Sequence, residues 1–353
     1  MLIFFLGLFI LLVIGCAIFS RTFPQYLTSA NYSQEKKAFV NPQLLRSVTL
    51  SDGATGLFKM LGGESQYKPK IKFPMQKPDW SLFLKDDGIN RFIWFGHSTL
   101  LMRVNQQTIA VDPVLGPSVS PLVINMRRFQ EPAASIDEWP QTDIVLISHN
   151  HYDHFEEETL RQLGQQNARF IVPLGLSEYL KPLGIDAKNI EELDWWQTAV
   201  VGENRYTLVP ALHNSGRSLT DSNKSFWGGY VIQDMNETLY YSGDTAYGPH
   251  FAEIAKEFPN IDIAFIENGQ YDKRWPDDHM FPSLTAQAAF DINPQRIVPV
   301  HWGAYAMAFH PWNESVRESI PMMRDKGLTP LTPYQGQVFD INTQTSEWYL
   351  DDE

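Results

Sequence analysis

The chain is predicted to be α/β in the α+β sense, with two sheets packed face to face, helices on their outer sides, and one apolar N-terminal helix ahead of them. Two observations carry this. From Arg91, short β-branched and aromatic runs follow one another: Phe92-Ile93-Trp94-Phe95, Leu100-Leu101-Met102-Arg103-Val104 and Thr108-Ile109-Ala110-Val111-Asp112-Pro113. The second half repeats the order of strands then helices. Strand-like runs lie at 206–209, 226–233 and 239–242, and helical patterns at 251–258, 284–292 and 316–326 alternate with strands at 261–267 and 296–300. Between the halves, a buried strand at 143–147 precedes a helix at 159–165, a strand at 169–172 and a helix at 176–183.

With 353 residues, 43% hydrophobic and 20% charged, the chain suits one large or two small globular units with a substantial core. Three segments are expected: a membrane anchor over 1–20, a linker and irregular arm over 21–88, and a globular domain over 89–353. Residues 1–19 carry no charged side chain and would span about 28 Å as a helix, close to the hydrocarbon thickness of a bilayer. Neither a basic n-region nor a polar cleavage site accompanies them, as a cleaved signal would require. The alternative is a lipoprotein through Cys16, since Val13-Ile14-Gly15-Cys16 looks like a processing box, although apolar Ala17-Ile18-Phe19 continues the span. Arg21, Lys36, Lys37 and Arg46 follow the span and none precedes it, which puts the catalytic body on the cytoplasmic side. The arm is rich in Pro, Ser, Lys and Gln and shows no chemistry. A net charge of -13 disfavours nucleic acid as a partner. Cys16 is the only cysteine, so no intrachain disulfide and no thiolate zinc site can form, and any metal must sit on His and carboxylate ligands.

The stretch Ser148-His149-Asn150-His151-Tyr152-Asp153-His154 follows the 143–147 strand and stands just ahead of the acidic helix start Glu156-Glu157-Glu158. If the strand reaches His149, its period of two aims His149 and His151 at one side, where two imidazoles can grip one cation. Asp153 and His154 fall in the next turn and can reach a second. Three later motifs sit where strands run out. These are His213 after Leu208-Val209-Pro210-Ala211-Leu212, Asp244 after Tyr240-Tyr241-Ser242-Gly243, and His301 after Ile297-Val298-Pro299-Val300. Gly243 has no side chain to crowd a metal. Five histidines and two aspartates give each of two divalent ions three protein ligands. A shared anion is needed between ions about 3.5 to 4 Å apart, and Asp244 is the natural bridge.

In this order, His149-x-His151-x-Asp153-His154, His213, Asp244 and His301 resemble the signature of the metallo-β-lactamase superfamily. The likeness is closest to its N-acylphosphatidylethanolamine phospholipase D-like branch, through Trp94-Phe95-Gly96-His97-Ser98-Thr99-Leu100, Val111-Asp112-Pro113, Asp194-Trp195-Trp196, Gly243-Asp244-Thr245, His279-Met280-x-Pro282 and Val300-His301-Trp302-Gly303. It covers roughly 91–309. The resemblance implies a four-layer αββα sandwich with metals at one edge. It implies that His149, His151 and His213 hold a first zinc, that Asp153, His154 and His301 hold a second, and that Asp244 lies between them. Manganese and iron also suit these ligands. One departure stands out: where the branch is expected to carry an apolar-Pro-Ile-Gly-Ala-Tyr string, this chain has Glu267-Asn268-Gly269-Gln270-Tyr271, a segment on the substrate side.

Around the metals, Asp153, Asp244 and His279 are the candidate catalytic residues, and His279, Arg217 and Tyr271 the candidate substrate contacts. His279 either touches a phosphate oxygen, as the resemblance suggests, or caps the following helix. Arg217 pairs with phosphate or ties down its own loop. His97 either holds the histidine loop by hydrogen bonds or acts directly. His250 and His310 read as ordinary exposed or half-buried residues, and Trp195-Trp196 as core. Two cations sharing a water lower its pKa toward neutrality, so a nucleophile exists without a side-chain base. The expected activity is a metal-dependent phosphodiesterase on a small-molecule or lipid phosphodiester, including N-acylated phospholipids. A lactonase or esterase on the same site, and a membrane-tethered metal-binding protein without turnover, are the alternatives.

Overall fold

The structure is a computed structural model that describes residues 22–43, 65–120, 126–218 and 220–350. The expected membrane span over 1–19 lies outside the described residues, and among the described residues no helix is long and apolar enough to cross a membrane.

The first half builds strands β1 (Arg91–Trp94), β2 (Leu100–Val104), β3 (Gln107–Val111) and β4 (Ile144–Leu146), then helix α1 (Glu157–Gln165) and strands β5 (Arg169–Pro173) and β6 (Ile190–Leu193). The second half supplies β7 (Thr198–Val201), β8 (Asn204–Val209), β9 (Gly229–Gln233) and β10 (Thr238–Tyr241). After these come α2 (His250–Glu257), β11 (Ile263–Glu267), α3 (Pro282–Ile292), β12 (Arg296–Val300), α4 (Glu314–Asp325) and β13 (Val338–Phe339). One sheet runs β13-β1-β2-β3-β4-β5-β6 and the other β12-β11-β10-β9-β8-β7.

The period of two in the strands decides the layering. Phe92, Trp94, Leu100, Met102, Ile109, Val111, Ile144 and Leu146 face the second sheet in one apolar cluster. The intervening Ile93, Leu101, Ala110 and Val145 join Leu160 and Leu163 of α1 on the other side. Phe251 and Ile254 of α2, Ala289 and Ile292 of α3, and Val316 and Ile320 of α4 cover the second sheet, which completes helix, sheet, sheet, helix. This is the αββα sandwich the resemblance implied.

Pairing directions gather the strand ends. Since β1 and β2, and β2 and β3, pair antiparallel and β3 and β4 parallel, the C-terminal ends of β1, β3 and β4 share one edge. The same holds for β8, β10, β11 and β12, through two antiparallel pairings and two parallel ones. Loops leaving these ends therefore converge.

The described parts of the arm are wrapped on the body. Phe39 stacks on Phe226 at 4.7 Å, Phe73 stacks on Trp312 at 5.1 Å, and Asn41 Nδ2 donates to the His213 carbonyl at 2.7 Å. Trp195 is core as expected, packed on Phe226 and donating to the Trp227 carbonyl. Trp196 is not: it is 42% exposed, at φ 69°, on a cavity shared with Arg205 and Lys256.

Candidate metal centre

Strand β4 ends at Leu146, three residues sooner than the alternation argument needs, so His149 and His151 stand in a loop. That loop closes as a turn, with the His154 and Phe155 amides donating to the His151 carbonyl at 3.1 and 2.9 Å. The turn, not a strand period, brings the imidazoles together. His149 Nε2 lies 2.8 Å from His151 Nδ1, and His213 Nε2 lies 3.2 Å from the same atom.

The second group forms around Asp244. His154 Nε2 lies 3.3 Å from Asp153 Oδ2 and 3.0 Å from Asp244 Oδ2, and His301 Nδ1 lies 3.1 Å from Asp244 Oδ1. Asp244 Oδ2 also lies 3.8 Å from both His149 Nε2 and His213 Nε2, so one carboxylate touches both groups. All seven expected ligands are brought to one place.

Surrounding groups fix their orientation. Asp112 accepts from the Ser148 amide at 2.7 Å, the Ser148 hydroxyl at 2.6 Å, His154 Nδ1 at 2.7 Å and the Tyr241 hydroxyl. With the His154 proton held on Nδ1, Nε2 is turned toward the centre as an electron-pair donor. His97 is buried and holds Asp153 Oδ2 through Nε2 at 2.7 Å, the loop-holding role of the two foreseen. Its backbone exchanges hydrogen bonds with the His301 amide and the Trp302 carbonyl at 2.8 and 2.7 Å, which joins the edges of the two sheets. Both His97 and His301 adopt positive φ, 53° and 68°. Gly243 also needs its missing side chain, but against the backbone: at φ 60°, an added Cβ would lie 2.8 Å from the Gly228 carbonyl and 3.0 Å from Ser148 Cβ.

The donor set suits a cation. Burial, together with the neighbouring imidazoles, keeps His149 and His213 well below their ordinary pKa, and burial lowers His151 to about 4, so these nitrogens are neutral ligands at pH 7. Burial pushes the Asp244 carboxyl up, yet His154 and His301 hold it well below the usual carboxylate range. Burial opposes charge on His154, but Asp244, Asp153 and Asp112 raise it well above its ordinary value, so a cation binding at Nε2 would displace a proton. His154 Nε2, His301 Nε2 and Asp244 Oδ1 are buried without a hydrogen-bond partner, which is costly unless something else occupies them. A cation seated between His154 Nε2 and Asp244 would satisfy both of those groups.

A cavity of about 230 Å³ opens on this centre, lined by His151, Asp153, Asp244 and His279 together with Val119, Met126 and Met307. His279 lines it. Its Nδ1 is 2.7 Å from Glu267 Oε2. Burial pushes the Glu267 carboxyl up and opposes charge on His279, while the Glu267 carboxylate beside the ring lifts His279 above its ordinary value. The other two candidate contacts point elsewhere. Arg217 donates to the Asn150 and Phe155 carbonyls at 3.0 and 2.8 Å and lies over the Tyr152 ring at 3.9 Å, tying down the histidine loop. Tyr271 donates to Glu314 Oε1 at 2.7 Å and stacks on His310 at 4.2 Å, because that carboxylate and ring, not the cavity, stand within its reach. His250 and His310 are both buried, against expectation. Sequence reasoning assigned no role to Ser98, whose hydroxyl lies 3.0 Å from His301 Nδ1, or to Glu267. Asp112 was legible only as part of Val111-Asp112-Pro113 in the family resemblance, with no role attached.

Fold, ligand set and edge location define a metal-dependent hydrolase, and the sequence profile described as the Beta-lactamase superfamily domain matches residues 107–302. The chain belongs to the metallo-β-lactamase superfamily. It is 32% identical over 317 residues to an uncharacterized protein of Mycobacterium tuberculosis, covering 88% of this chain and 84% of that one. It is 26% identical to the N-acyl-phosphatidylethanolamine-hydrolyzing phospholipase D 1 of Caenorhabditis elegans, covering 87% and 93%. Among solved structures, a metallo hydrolase from the archaeon Ignicoccus hospitalis shares the fold at a TM-score of 0.57 and 19% identity, covering 72% of this chain and 99% of that one.

Proposed function

We propose that the chain is a binuclear, zinc-dependent phosphodiesterase acting on lipid phosphodiesters, with N-acylated phospholipids as the leading substrates. The observation that carries this reading is the contact of Asp244 with both histidine groups at once. His149, His151 and His213 would hold one ion and Asp153, His154 and His301 the other. Two such ions supply Lewis acidity for phosphoryl oxygens and an activated water. The reaction adds water across the diester, leaving a phosphomonoester and an alcohol. In it, His279 faces a phosphoryl oxygen from the cavity wall, while Val119, Met126 and Met307 receive apolar substrate and keep bulk water out. His97 holds Asp153 in place. The Caenorhabditis elegans relative, named for the same substrate class, supports the reading. An anchor over residues 1–19, with the body on the cytoplasmic side, would keep the site beside lipid.

The test is to purify the full chain in detergent, measure its metal content, and assay phosphodiesters, N-acylated phospholipids among them, beside lactones. Phosphodiester turnover that disappears in Asp244→Asn while unfolding stays cooperative is the expected result. Turnover of lactones alone would replace this reading with a lactonase, and undiminished activity in Asp244→Asn would remove Asp244 from the mechanism.

A further inference from the structure

Glu267 closes β11 with its side chain fully buried; its amide donates to the Ser242 hydroxyl at 2.9 Å, and the residue pairs with Val300 of β12. Both carboxylate oxygens are used, and both are spent on one corner of the chain. Oε2 meets His279 Nδ1 at 2.7 Å and Oε1 accepts from the Met280 amide at 2.8 Å. A buried carboxylate is costly where an apolar side chain would pack, so a pair of bonds aimed at a single residue and its neighbour calls for a reason. The His279 ring, in turn, stacks on His301 at 5.0 Å and lies 5.4 Å from His213 while facing the cavity.

We infer that Glu267 is the positioning residue for His279: by accepting the hydrogen bond from Nδ1, it fixes the rotation and tautomer of the ring, so that Nε2 faces the ligand in the cavity. A carboxylate accepts only, so the nitrogen it faces must carry hydrogen, and the rotation of the ring is set with it. The role of that nitrogen rests on the reading of the site as a phosphodiesterase; the orientation itself does not. Its rival is a ligand role, since Asp244, Glu267, His279 and His301 offer atoms within 4.8 Å of one another.

The experiment uses the full chain and three variants, Glu267→Gln, His279→Gln and the double replacement, each loaded with zinc. Metal per chain, kcat and KM are measured with one phosphodiester. Imidazole nitrogen NMR is recorded on the metal-free proteins, the His279 signals being those absent from His279→Gln. Expected are unchanged metal content in Glu267→Gln and a kcat lowered roughly tenfold, with a further change of less than about twofold when the same replacement is made on His279→Gln. The NMR should show hydrogen on Nδ1 of His279 in the wild type and a shifted pattern in Glu267→Gln. Loss of metal in Glu267→Gln, losses that simply add, or an unmoved His279 pattern would each overturn the inference. If the wild type cleaves no phosphodiester, the functional reading fails, and the nitrogen spectra alone decide for or against Glu267.

Discussion

At the scale of single residues, Asp112 carries more than its burial suggests. Four donors converge on its carboxylate, and one of them is the ring nitrogen that sets the direction of His154. Asp112→Asn should therefore weaken metal binding by roughly 10- to 100-fold, read by competition with a chromophoric chelator; undiminished affinity would deny Asp112 this role. His250 makes a separate prediction. Burial lowers its pKa to about 3, with Thr245 Oγ1 at 3.1 Å from Nε2. A histidine depressed in the folded state binds its proton only on unfolding, so its contribution to stability is full above about 6.5 and is lost as pH falls toward about 3. Denaturant titrations across that range should show a shallower acid loss in His250→Gln than in the wild type. The seven candidate ligands were legible because metal chemistry restricts the residue types and because each lies in or at a loop leaving a strand end. The sequence could not reveal the burial of His250 or the turning of Tyr271 toward Glu314, since both depend on partners brought close only by the finished fold.

At the scale of elements, the edge loops depend on tight backbone contacts. Gly243 sits between β10 and Asp244 at φ 60°, with no room for a Cβ beside the Gly228 carbonyl. Gly243→Ala should cost about 1–3 kcal/mol in a denaturation experiment and lower metal occupancy by shifting Asp244. Elements with strong apolar runs, such as β2 and β12, are found where periodicity predicts them. Those missed are edge strands: β6, with the polar sequence Ile-Glu-Glu-Leu, β7, and the two-residue β13. Their extended form comes from pairing with a neighbour, not from a buried face, so no pattern in the sequence announces them. The histidine loop shows the same limit, since its imidazoles are gathered by a turn and by the Arg217 tie.

For the whole molecule, the centre links the two sheets, so a bound ion is also a clamp. Ligands from β4 on one sheet and from β8, β10 and β12 on the other close on it. Chelation should lower the melting temperature, and metal at a hundredfold excess over its Kd should restore about 2.7 kcal/mol, measured by calorimetry with and without metal. The expected membrane span makes a prediction of its own. The full chain should float with lipid vesicles, and a chain lacking residues 1–20 should not.

The contact between Asn41 and the backbone of His213 has a practical bearing on how the protein is handled. Trimming the chain to the hydrolase domain alone, at residue 89, would untie a knot that holds one of the ion-binding loops. A shortened protein that keeps Asn41 should retain its ions, and one cut just after it should leak them.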